Sequence, residues 1–217
     1  MKNLSILFVL LFSFSCANPI KKAVNKAKYS AYEAVGIEKR DLFKKEVANV
    51  KDDQEESGDS FKDALTKLKE IYAFDGGDLE DKHDDLNESY LNAKEKSDIV
   101  KNRISTLNTT ATDLFTEWEG EIQEISSADL QKQSREKLVE TKKKYKVLYK
   151  QLKASESKVT PVLTKLKDQV LFLKHNLNAK AIAGLKVESG KIQSEIKGLI
   201  DEMNESNKKA EEFIKTL

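Results

Sequence analysis

The sequence predicts an all-α protein, an elongated antiparallel bundle or coiled coil of three to four long helices. Three observations carry this. Charged residues make up 35% of the 217-residue chain and hydrophobic ones 39%, a mix that suits long helices. Only 8 Gly and 2 Pro are present, too few for the frequent turns of a sandwich or barrel. Apolar side chains recur at alternating spacings of four and three, the 3.5-residue repeat of helices that pack side by side.

The elements follow in chain order. Residues 1–15, MKNLSILFVLLFSFS, read as a lipoprotein signal peptide. Lys2 supplies the positive start, and Leu4 to Phe14 is an apolar core of signal-peptide length. That core falls short of the ~20 residues of a membrane span. Cys16, the single cysteine, lies directly behind it, where a signal cut before the Cys exposes a sulfur for a diacylglycerol. The alternative is cleavage after Ala17, since Ser15-Cys16-Ala17 also makes a small-x-small site, with Cys16 a spare thiol. Phe14 and Ser13 depart from the usual residues before a lipidated Cys. Ala17, in place of an Asp, favours outer-membrane over inner-membrane retention. Residues 16–28 are expected to be the lipidated Cys and a short basic tether, ANPIKKAVNKAK after the Cys. A single cysteine leaves no internal disulfide framework and no Cys-based zinc cluster.

Residues 29–217 read as one helical-bundle domain. Gly36 marks a bend in the first segment. That segment shows the weakest stripe, Phe43, Val47, Val50, Gln54, Ser57 and Phe61, then Leu65, Leu68 and Tyr72. Asp75-Gly76-Gly77-Asp78 is a turn, with Asp78 placed to cap the next helix. The second stripe runs from Leu79 and His83 to Leu114 and Trp118 without a miss. Ser126-Ser127-Ala128-Asp129 is the second turn, with a Ser cap. The third stripe runs from Leu138 to Leu166, and Asn176-Leu177-Asn178 ends it. The last runs from Ile182 to Leu217. Pro161 falls inside the third segment, but the register continues on both sides, so it predicts a kink rather than a boundary. Short connections make neighbouring helices antiparallel. Residues 78–125 carry 13 acidic and 5 basic side chains, net −8, and residues 128–177 carry the reverse, net +8. This predicts charge-guided pairing of the two segments.

The candidate chemistry has plainer explanations. His83 lies on the apolar stripe beside Asp81, Asp84 and Asp85, where a polar layer or a partly exposed side chain accounts for it better than a metal, since a metal would need partners on another helix and no His-x-x-x-His pattern is present. His175 sits near a helix end, where its charge suits the local dipole. Gly76-Gly77 lacks the Gly-Lys-Ser/Thr of a phosphate loop, and Asp75 and Asp78 lack calcium-loop spacing. Lys142-Lys143-Lys144-Tyr145-Lys146 fits anionic lipid or nucleic acid, but a solvated face explains it more simply. Phe115 and Trp118 extend the core stripe. No catalytic, cofactor or metal site is expected, and the net charge of +1 gives no bulk attraction for nucleic acid.

Several stretches resemble a family of uncharacterised bacterial lipoproteins, described only as a domain of unknown function. The passages are Tyr29 to Asp41 (YSAYEAVGIEKRD), Phe74 to Leu79 (FDGGDL), Phe115 to Glu119 (FTEWE) and Asp168 to Ile182 (DQVLFLKHNLNAKAI). The resemblance spans nearly the whole chain after Cys16. It implies an exported, lipid-anchored, helical protein and brings no catalytic residues. The segment before Cys16 departs from the family's usual Leu-x-Gly/Ala-Cys form. The expected function is a lipid-anchored rod of the bacterial envelope, facing the periplasm and docking protein partners along its length. The alternative is a membrane-remodelling module that binds anionic lipid through its lysine-rich helix. The expected partners are the membrane, through the anchor, and proteins; heptads can also close between copies of the chain.

Overall fold

The computed structural model describes Tyr29, Gly36 and residues 38–217, apart from the side chains of Ala179 and Ala181. The signal segment 1–15, Cys16 and the tether 16–28 lie outside the described residues. The chain divides into two compact units, Met1–Glu38 and Lys39–Leu217. In the first, Gly36 has φ +78°, a left-handed value that favours glycine and fits a bend there.

The second unit is a four-helix bundle with no strand among the described residues. Helix α1 spans Lys39–Tyr72, α2 Leu79–Glu124, α3 Ala128–His175 and α4 Ala179–Ile214. Each helix packs on its two neighbours in a closed ring, α1 on α2 and α4, α3 on α2 and α4. The two longest, of 46 and 48 residues, each rise about 70 Å. Three short turns reverse the chain, so the helices run up, down, up, down.

The turns form where their residues demand. Gly76 and Gly77 take φ of +156° and +109°, which L side chains rarely adopt. The Asp78 carboxylate accepts from the amides of Glu80 (2.9 Å) and Asp81 (3.3 Å), capping α2. Ser127 caps α3 through the Leu130 amide at 3.4 Å. Asn176 ends α3, its amide bonded to the Leu173 carbonyl and its side chain to the Phe172 carbonyl. Helix α3 runs unbroken through Pro161.

All nine heptad positions of the third segment, Leu138 to Leu166, are buried. In the second, Tyr90 and Trp118 are half-buried and the rest lie in the core. The first helix differs from its expected stripe after Phe61: Leu68 and Tyr72 are buried as expected, Ala64 and Ile71 are buried as well, and Leu65 is half-buried. The repeat of four and three therefore runs unbroken from Phe43 to Ile71. It was masked because Gln54, Ser57 and Ala64 are poor hydrophobes, and because Leu65 is the greasier neighbour of the residue that faces inward.

The core is in two parts. One cluster gathers Phe43, Val50, Leu107, Phe115, Tyr145, Leu152 and Phe213 with others. Phe43 stands at its centre, edge-on to one ring from each other helix: Phe115 at 5.8 Å, Tyr145 at 5.4 Å and Phe213 at 5.5 Å. The other cluster gathers Phe61, Leu68, Ile71, Leu86, Leu166, Leu173, Ile196 and Met203 with others. Between them lies a polar layer.

Candidate functional site

The polar layer takes one or two residues from every helix. Gln54 of α1 is fully buried, donating to Ser155 Oγ of α3 at 2.8 Å and accepting from Ser206 Oγ of α4 at 2.7 Å. Ser57 of α1 meets Ser97 of α2 at 3.5 Å. Ser97 and Ser155 also donate to the carbonyls of Ala93 and Leu152 in their own helices. Each hydroxyl thus has a partner, and burying the layer costs little. Its chemistry is recognition between helices. A one-heptad slip of any helix would set these groups against hydrocarbon, so the layer specifies register.

His83 occupies a core position near the start of α2 and is 9% exposed. Its Nδ1 meets an Asp84 carboxylate oxygen at 2.9 Å, and its Nε2 is buried without a partner. Among the described residues no three His, Cys, Asp or Glu side chains gather as a metal site would need. His175 is exposed in the last turn of α3, where a cation suits the helix dipole.

Phe115 is buried in the aromatic cluster, and Trp118 packs against it with its indole N–H donated to Ser134 Oγ at 2.9 Å. Tyr145 accounts for the aromatic inside the lysine run. It points into the core, with its hydroxyl toward Asn108 Oδ1 at 3.3 Å and its ring stacked on Tyr149. Burial pushes its hydroxyl well above the ordinary tyrosine range. The lysine run is thereby split. Lys142 pairs with Glu119 of α2 and lies 5.6 Å from the Phe115 ring, and Lys144 pairs with Glu140 at 2.6 Å. Lys143, Lys146 and Lys150 are exposed, with no ion pair among the described residues, and Val139 and Val147 are exposed on the same helix.

The charge pairing differs from the sequence expectation. Lys142–Glu119 does join α2 to α3. However, other bridging pairs hold α1 to α2 (Arg103–Asp53, Lys96–Glu56, Lys82–Glu70) and α3 to α4 (Lys158–Glu202, Lys165–Glu195). The physical reason is direction: many of the acids on α2 and lysines on α3 face water rather than each other.

The end of the bundle that holds the turns 73–78 and 176–178 carries the two motifs singled out above, FDGGDL and DQVLFLKHNLNAKAI. Phe74, Gly76, Gly77, the acids Asp78, Asp81, Asp84 and Asp85, and one base, Lys82, line an open hollow of about 570 Å³ there. Sequence reading marked both motifs without bringing them together; their common end follows from the up-down topology.

A family model described as a protein of unknown function (DUF2959) matches residues 28–217. No curated protein matches the chain, and no solved structure does.

Proposed function

We propose, from the premise that this chain belongs to the DUF2959 family, that it is a lipid-anchored helical bundle of the bacterial cell envelope. It acts there as a structural or protein-interaction module, facing the periplasm, with outer-membrane anchoring favoured by Ala17. The observation that carries the reading is the order of the sequence: a positive start, an apolar run from Leu4 to Phe14, then the lone Cys16. Among the described residues no helix is long and apolar enough to cross a membrane, so attachment would fall to the lipid. Two or more acyl chains hold a protein stably at ~0.8 kcal/mol per buried CH₂. The reading has no catalytic role for His83 or His175.

The test is direct. Wild-type chain should take up labelled acyl groups and fractionate with membranes, and Cys16→Ser should lose both. A Cys16→Ser chain that keeps label and membrane partition would sink the anchoring claim.

One observation favours a second reading, direct binding of anionic lipid by α3. Lys143, Lys146 and Lys150 project from one helix without carboxylate partners among the described residues. Chain lacking residues 1–16 would then sediment with anionic vesicles and release as salt rises. No sedimentation at low salt would remove this reading.

A further inference from the structure

The end of the bundle that carries both motifs is divided by charge. On the α1–α2 side stand Asp75, Asp78, Glu80, Asp81, Asp84 and Asp85. Of the nearby lysines, Lys82 pairs with Glu70 and Lys67 with Asp85, and Lys69 is exposed with no ion pair among the described residues. On the α3–α4 side, residues 167–191 hold five lysines against Asp168 and Glu188. Lys167, Lys174, Lys180, Lys186 and Lys191 are all exposed, and none has an ion pair among the described residues. Large apolar side chains stand among them: Leu171 is 47% exposed, Phe172 42% and Leu177 41%. One turn is thus an acidic hollow beside Phe74, and the other is a basic turn with apolar side chains at its surface.

We infer that this end is a self-association surface: two copies meet end to end about a two-fold axis. The lysine-rich α3–α4 turn of each copy seats on the acidic α1–α2 turn of the other. The two-fold is what the charge division demands. An anionic bilayer would attract the lysine turn and repel the acidic turn beside it. A second copy rotated by half a turn sets each sign against its opposite twice over, as a self-complementary contact requires. Phe172 and Leu177 leave water as they meet the partner copy's hollow. The area is modest. Helix axes lie about 10 Å apart, so the bundle end offers on the order of 400 Å² per copy, below the ~1,200 Å² total of a lasting complex. The contact is therefore transient and weakens with salt. It names a partner for the interaction module proposed above and does not depend on Cys16, because both turns lie within Lys39–Leu217.

Carbodiimide, which joins amines to carboxylates only in direct contact, tests it on an equal mixture of normal and isotope-labelled full-length chain. Lys174 and Lys180 of one copy should link to Asp75 and Asp81 of the other. The pair Lys174→Glu with Lys180→Glu removes two reacting amines and should also lower the remaining links between the turns of two copies, those of Lys186 to Asp78 or Asp84, about tenfold, and Asp75→Lys with Asp81→Lys should do the same. Mixing the two variants should restore the links, because both halves of the contact between unlike copies regain opposite charges and the unchanged lysines of one variant again face the unchanged aspartates of the other. Circular dichroism keeps the reading honest by showing that both variants hold their helices. Absence of links between copies in the normal chain would overturn the proposal. So would a mixture of folded variants that fails to regain them. Sedimentation with phosphatidylglycerol vesicles, abolished by the lysine reversals and without links between copies, would assign the turn to a membrane instead.

Discussion

Gln54 is the residue on which all four helices are aligned. Its amide joins α1 to Ser155 and Ser206, and the neighbouring Ser57 reaches Ser97. Removing one side of a buried hydrogen bond costs more than the bond itself is worth, because the other side stays buried and unmet. Gln54→Ala should therefore lower stability by about 2–3 kcal/mol in urea unfolding. Replacing the set together, Gln54→Leu with Ser155→Ala and Ser206→Ala, should recover most of that loss. The recovered protein should show broadened side-chain NMR signals, since the groups that distinguish one register from its neighbours are gone. Glu202 gives a second test at this scale. The hydrogen bond from Lys158 holds its carboxyl below the ordinary glutamate value, with Gln151 adding another. A carboxylate depressed by folding stabilises the fold above its unfolded value near 4.5 and loses that contribution as pH falls through the lower folded value. Thermal unfolding followed from pH 6 to about pH 3 should show a smaller drop for Glu202→Gln than for the normal chain. The difference should stay under about 1 kcal/mol, as for other partly exposed pairs.

Helices in this protein begin and end by local chemistry, and their interiors obey packing. Asp78 satisfies two of the free amides at the start of α2. Asp78→Ala should cost about 1 kcal/mol in denaturant unfolding and should fray the first turn in hydrogen exchange. Inside α3, Pro161 removes the amide that would bond the Ser157 carbonyl, yet Val159 and Val162 stay buried on either side. Tertiary packing holds the helix across the missing bond. Pro161→Ala returns that bond and removes the ring's clash, against a gain in unfolded-chain freedom. The net effect should be stabilisation of about 1–2 kcal/mol. No gain in melting temperature would show that the helix has fully adapted to the ring. The stripe of α1 was legible only in part, because sequence reading ranks Leu65 above Ala64. A side chain's apolarity and its angle around the helix are separate quantities, and at this position they disagree.

In the molecule as a whole, two apolar clusters share four continuous helices across one polar layer. Each helix runs through both, so neither half has an independent set of elements, and unfolding should be cooperative. Trp118, the single tryptophan, reports on the half that contains Phe43, while Phe61 is fully buried in the other. Phe61→Ala should lower the unfolding midpoint seen by Trp118 fluorescence as much as that seen by helicity, with a loss of about 3–5 kcal/mol. Separate midpoints would show that the polar layer divides the bundle into two units. The longitudinal arrangement also places the opposite end of the bundle near the chain terminus, where Arg40 bonds the Leu217 carbonyl and Lys39 pairs with Glu117.

Turn positions, caps and nearly every inward-facing residue were decided along the chain, because they depend on spacings of three and four and on residues that break or cap a helix, while the helix number, read as three to four, is four in the fold. A 3.5-residue repeat states which face is buried, and three turns between four such faces leave an up-down bundle as the short-loop arrangement. Spacing carries no information about which outward faces meet. Only the folded bundle turned many of the charges of α2 and α3 away from each other, gathered Gln54 and the serines into one layer, and brought the FDGGDL and DQVLFLKHNLNAKAI segments to one end. Those are relations between residues on different helices, from 23 to 152 positions apart, set by the packing of helices against one another rather than by any local run of side chains.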